Sequence, residues 1–201
     1  TGPTSTCAST LPVHQSIKTY SQEVVGSTIE LTGHSVLTEP AFWTPNLPML
    51  YAMKCRIMSS TREVASLHKT IGLRRLGIRN HSLWLDGHRF VIRGITCGKV
   101  DSASFEQRIL TAKEQNTTEI IDLPSDGFFT CREPSKLERH LQRSDESGRP
   151  TIIRVHPETR PSAMPDILCK LANHPSVFIT VIPPSLLTVL EKFSTLKGTM
   201  L

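Results

Sequence analysis

Residues 71–96 read IGLRRLGIRNHSLWLDGHRFVIRGIT, and two short alternating runs, Ser82-Leu83-Trp84-Leu85 and Arg89-Phe90-Val91-Ile92, flank the pair Asp86-Gly87. A tight hairpin turn needs φ > 0 at both central residues, which Asp tolerates and Gly adopts freely, so this stretch predicts a β-hairpin. The chain changes character across it. Short β-prone runs precede the hairpin, and strand-like and helix-like segments alternate after it. The stretch is therefore read as a junction between a first domain, residues 1–70, and a second, residues 71–201.

Residues 1–10, TGPTSTCAST, are small and polar, as expected of a frayed end or linker. Runs at 14–20, 24–32, 50–58 and 64–67 then suit strands, separated by Gly26, Gly33, Pro40, Pro45 and Pro48. Short strands with frequent Gly and Pro turns predict an immunoglobulin-like β-sandwich. It would be partial, because such a domain takes about 100 residues, so N-terminal strands are expected to be missing. Within it, Phe42-Trp43-Thr44-Pro45-Asn46-Leu47-Pro48-Met49-Leu50-Tyr51 is distinctive. Its prolines force an extended bend that delivers Leu50 and Tyr51 into the next strand. Trp43 and Tyr51 are expected in the sandwich core, with a sugar-binding tryptophan as the alternative.

After Gly94 the sequence predicts strands at 90–95, 117–123, 151–155 and 177–182, and helices at 102–115, 134–146, 164–172 and 185–196. Asp101 or Ser102 would cap the first helix; Pro134 opens the second and Gly148 follows its end. Four apolar strands alternating with four helices mean a parallel sheet with right-handed crossovers. Two architectures fit: an open doubly wound sheet, or four βα units of an incomplete (β/α)8 barrel, which complete takes roughly 250 residues. No G-x-G-x-x-G or G-x-x-x-x-G-K-[ST] follows any strand, so a nucleotide site is not expected. A half-barrel would leave a sheet edge to be covered by missing C-terminal sequence or a partner chain.

Composition narrows the function classes. Hydrophobic residues make up 38% and charged residues 20%, ordinary for a globular protein. No apolar run reaches the length of a membrane helix. The net charge of +5 comes from 23 basic and 18 acidic residues, interleaved, so a nucleic-acid partner is not expected. Cys7, Cys55, Cys97, Cys131 and Cys169 are scattered without a C-x-x-C pair, against zinc or a disulfide framework. No metal or other cofactor is expected. The chain begins at Thr1 with no leader, as a fragment or processed chain would.

In a barrel, chemistry sits at the C-terminal ends of the strands. Those positions hold Thr96 and Cys97, Asp122 and Asp126, His156 and Glu158, and residues 183–185. Asp122, Asp126 and His156, with Glu158, could make an acid/base or metal cluster. The plainer reading is that Asp126-Gly127 forms a turn and Glu158 is solvated. Arg93, expected to be buried in the first strand, would need a carboxylate, with Asp122 the candidate, or would bind substrate. Cys97 lacks a His/Asp arrangement for nucleophilic attack, and Ser185 lacks a G-x-S-x-G elbow.

Four segments together resemble family 2 glycoside hydrolases. Residues 42–51 are similar to that family's W-[ST]-P…P-x-L-Y segment, and Gly72-Leu73-Arg74-Arg75-Leu76 to its G-[FL]-R-x-[IL] strand. Leu83-Trp84-Leu85-Asp86-Gly87-His88-Arg89 with Arg93-Gly94-Ile95 resembles its L-x-[LN]-G-[KR] hairpin and R-G-[VI] strand. Asn173-His174-Pro175-Ser176-Val177 resembles the R-N-H-P-S-[VI] run before barrel strand four, and His174 would order that loop. The resemblance implies a sandwich followed by a (β/α)8 barrel that cleaves β-glycosidic bonds, a carbohydrate partner, and a secreted or periplasmic location. A retaining glycosidase needs two carboxyls about 5–5.5 Å apart. The resemblance puts the acid/base glutamate in an Asn-Glu pair near Pro184 and Ser185, yet no glutamate lies between Glu158 and Glu191. The H-Y-P after strand two is replaced by Leu123-Pro124-Ser125-Asp126. Three readings follow: a fragment or diverged relative without hydrolytic competence, a non-catalytic carbohydrate-binding or protein-interaction module, or an unrelated α/β enzyme using Asp122, Asp126 and His156.

Overall fold

The structure is a computed structural model that describes residues 4–5, 8–9, 21–25, 28–32, 37, 39–59, 61–100, 102–123 and 135–187. The first half forms two-stranded pairs. Strand β1 (Thr4–Ser5) pairs with β2 (Ala8–Ser9), β3 (Ser21–Val25) with β4 (Thr28–Thr32), and β5 (Tyr51–Ser59) with β6 (Arg62–Ile71), all antiparallel. Residues 24–32 thus divide into two strands where the sequence suggested one run, and the expected strand at 14–20 lies outside the described residues. The β5–β6 ribbon is exposed on both faces beyond Tyr51, with Met58 51% and Val64 64% accessible. The described strands before residue 71 are separate pairs, not two packed sheets.

The junction hairpin forms where expected. Strand β7 (Leu76–Arg79) pairs with β8 (Ser82–Leu85), and β8 with β9 (His88–Phe90), in one antiparallel sheet. Asp86 (φ 48°) and Gly87 (φ 81°) both occupy the left-handed region, as their turn requires.

Beyond it lies a four-stranded, all-parallel sheet in sequence order: β10 (Gly94–Lys99), β11 (Thr118–Asp122), β12 (Thr151–Arg154) and β13 (Val177–Val181). Its crossovers carry α1 (Phe105–Glu114), α2 (Lys136–Ser147) and α3 (Met164–Ala172). The first strand begins at Gly94, later than the sequence suggested; of the expected last helix, residues 185–187 are described and helical. Helix α1 has Ser104 at its N-cap without a side-chain bond, so Ser102 does not cap it, and Asp101 lies outside the described residues. Helix α2 is capped by Ser135, whose hydroxyl accepts from the Glu138 amide.

The three helices share one core with the strands of this sheet. Phe105 and Ile109 of α1, Leu137 and Leu141 of α2, and Met164, Ile167 and Leu171 of α3 join a single cluster with Cys97, Ile121, Ile153 and Val177 of the strands. All three helices therefore cover the same face of the sheet. A doubly wound sheet carries helices on both faces, whereas a barrel wall carries them on one. The opposite face bears Ile120, Asp122, Ile152 and Arg154 by strand alternation.

Candidate functional site

Two ends of this sheet carry polar side chains, and they differ in kind. At the N-terminal ends of the strands, the four distinctive sequence segments converge. Trp43 is fully buried, but against Leu50, Leu85 and Phe178 at the base of the parallel sheet, not in a sandwich core. Its indole Nε1 donates to the Asp145 carbonyl in α2 (2.8 Å). Tyr51 is buried and its hydroxyl accepts from the Ala41 amide (2.7 Å). Arg74 donates through Nη1 to the carbonyls of Pro175 (2.8 Å) and Val177. Burial pulls the Arg74 pKa down, opposed by the charge of Asp145. A side chain at Gly72 would run into the Pro175 ring, so that close approach needs glycine.

Asp145 ties the entry to β13. One carboxylate oxygen accepts from the Ser176 amide (3.0 Å) and hydroxyl (2.6 Å), and the other meets His174 Nδ1 at 2.7 Å. Asp, His and Ser are the residue types of a hydrolytic triad, yet here both His174 and Ser176 bind the same carboxylate. A nucleophile needs its base within hydrogen-bond reach, and His174 and Ser176 are each bonded to Asp145 and not to one another. The group therefore orders the loop, the part foreseen for His174.

At the other end, the register aligns Lys99, Asp122, Arg154 and Val181 in one row across the strand ends. Arg154 grips Asp122 with two bonds, Nε to Oδ1 at 2.6 Å and Nη2 to Oδ2 at 3.0 Å. The pair is part-exposed, with side chains 43% and 31% accessible, so its contribution to stability is modest, about 0.2–1 kcal/mol. Its effect on chemistry is larger, since both Asp122 oxygens are engaged. Arg93, expected to be buried beside Asp122, is exposed and precedes β10, because the strand begins one residue later. His156 Nδ1 accepts from the Glu158 amide (3.2 Å) in the turn after β12, and the Glu158 side chain is 81% accessible. Asp126 lies outside the described residues. No group of three metal-ligating side chains occurs among the described residues. Strand β13 ends at Val181, followed by Ile182, Pro183 and Pro184, none of which can give a proton to a leaving group.

Cys97 is buried on the helix side of β10, and burial, reinforced by the Glu119 carboxylate, pushes its thiol up to about 11. It stays protonated near neutral pH and is a poor nucleophile. Glu119 itself is fully buried, between His140 Nε2 (2.7 Å) and Arg149 Nη1 (3.0 Å). Sequence reading passed over this trio. Its signal was a glutamate in step with Ile121 and Leu123 on the buried face of β11, since a buried charge demands partners.

The chain superposes on a family 2 β-galacturonidase from Eisenbergiella tayi bound to galacturonate with a TM-score of 0.64 and 14% identity, covering 87% of this chain and 36% of that one. The fold is shared with family 2 glycoside hydrolases. A family 2 member from Bacteroides cellulosilyticus gives a TM-score of 0.60 at 16% identity, covering 83% of this chain and 25% of that one. A Parabacteroides merdae β-glucuronidase gives 0.57 at 16%, covering 79% and 21%. This chain thus spans between about a fifth and just over a third of the length of these structures. No family model matches the sequence, and no curated protein does. Among the described residues no helix is long and apolar enough to cross a membrane.

Proposed function

We propose that residues 1–201 build the junction and first four strands of a family 2-like (β/α)8 barrel, preceded by part of a β-sandwich, and that they supply its scaffold without its hydrolytic carboxylates. The carrying observation is the C-terminal row of the sheet. Asp122 is held at both oxygens by Arg154, and the end of β13 offers Val181, Ile182 and two prolines where the resemblance calls for an acid/base glutamate. A general acid needs a free carboxyl within reach of the leaving oxygen, and a retaining mechanism needs a second carboxyl opposite it. The reading is thus a carbohydrate-related protein whose residues 1–201 do not turn over substrate.

The test is release of a chromophore from aryl β-glucuronides, β-galacturonides and β-galactosides by the purified 201-residue chain. The expected rate equals the buffer blank. Turnover removed by His156→Ala or Asp122→Asn would overturn this reading in favour of an enzyme that uses Asp122, Asp126 and His156. Turnover insensitive to both would place the chemistry elsewhere in the chain and equally overturn it.

A further inference from the structure

Strand alternation gives the junction sheet two unlike faces. Leu76, Leu83, Leu85 and Phe90 pack on the base of the parallel sheet. The opposite face presents Gly77, Trp84 and Arg89 in cross-strand register, with Arg75 and Arg79 two residues to either side of Gly77. Here lies a cleft of about 370 Å³, lined by Arg75, Gly77, Arg79 and Trp84 among others. A side chain built at Gly77 would touch nothing within 4 Å, so the floor beside the indole is open.

The rim is strongly cationic. Arg75 and Arg79 line the cleft, and Arg89 is exposed in cross-strand register with Trp84, whereas Arg74 is turned away to Pro175 and Val177. Arg75 stacks on Phe42 (4.3 Å) and binds Asp86 through one carboxylate oxygen. Arg79 stands over the Trp84 ring at 5.9 Å, and among the described residues neither Arg79 nor Arg89 has a carboxylate partner. Stacking holds a guanidinium in place while leaving its N–H donors free at the edge.

The geometry points to a binding site for an acidic saccharide, a sugar bearing a carboxylate or sulfate, on the outer face of the junction sheet. The indole and the bare Gly77 floor offer a flat apolar surface for the C–H face of a pyranose ring. Arg79, in the cleft lining, offers charge-assisted hydrogen bonds to its acid group, and Arg89, beside Trp84 across the strand pair but outside the lining, adds positive charge nearby. The cleft falls at the small end of ligand sites, roughly 300–1,000 Å³, which suits one or two rings. A nucleic acid is the poorer match, because base-by-base stacking needs a track of aromatic residues and this face has one tryptophan. The site stands on the junction residues alone and does not depend on the reading of the opposite strand ends.

The test uses the full chain with an oligogalacturonate tetramer, read by quenching of Trp84, since Trp43 is fully buried. The expected results are saturable quenching that salt weakens, none with a neutral maltotetraose, and about a tenfold loss for Arg79→Ala, the worth of one charge-assisted bond. Isothermal calorimetry on Trp84→Phe should show the same weakening with the fold intact by circular dichroism. Lys113→Glu, an exposed charge change on α1, should weaken binding far less than Arg79→Glu. Equal losses in those two variants, equal binding of the neutral tetramer, tighter binding of a single-stranded oligonucleotide, or no binding of oligogalacturonate or a heparin tetrasaccharide at millimolar concentration would each overturn the proposal.

Discussion

Cys97 shows how the same residue type can differ in behaviour within one chain. Cys55 and Cys169 are exposed, whereas Cys97 is sealed beneath α1 with its thiol raised to about 11. Native protein treated with iodoacetamide at pH 8 should be alkylated at Cys55 and Cys169 and spared at Cys97, as read by peptide mass spectrometry. Rapid native labelling of Cys97 would contradict its burial. The sign for stability follows from linkage: a thiol whose folded pKa is raised favours folding fully below the unfolded value near 9. That contribution is lost as pH rises through about 11. Cys97→Ser should flatten this alkaline loss.

Helix α2 ends as its sequence dictates and then does more. Gly148 takes φ 71°, the left-handed cap, and its amide bonds the Ser144 carbonyl. A side chain there would also strike the Pro45 backbone, so the distal segment around Trp43 is seated on the helix end. Gly148→Ala should therefore cost more than the roughly 1–2 kcal/mol of left-handed strain alone, measured by urea denaturation. A cost below 1 kcal/mol would mean that the Trp43–Pro45 segment is not held against the cap. The hairpin and the end of α2 were legible for this reason: Asp86-Gly87 and Gly148 are local chemistry, whereas the Ser135 cap was not read from the sequence. The long β5–β6 ribbon was less so, because Arg62–Ile71 extends well past the apolar run at 64–67 and no layer among the described residues covers it.

At the scale of the whole molecule, Asp145 links three distant parts of the chain, since its carbonyl receives Trp43 and its carboxylate orders 174–176. Asp145→Ala leaves a buried amide, hydroxyl and imidazole without their acceptor. It should lower unfolding free energy by about 3–5 kcal/mol in a single cooperative transition. A loss under 1 kcal/mol, or two separate transitions, would show that the base does not couple the two halves. The alternating strands and helices, the turn at Asp86-Gly87 and the end of α2 at Gly148 were fixed by local pattern: apolar period and φ > 0 at particular positions. Tertiary structure alone placed all three helices on one face of the sheet and moved Trp43 from an expected sandwich core to the sheet's base. It also gave Asp122 to Arg154 instead of Arg93. Strand register and the packing of buried side chains set those outcomes, and both depend on contacts between residues tens of positions apart that no local pattern encodes.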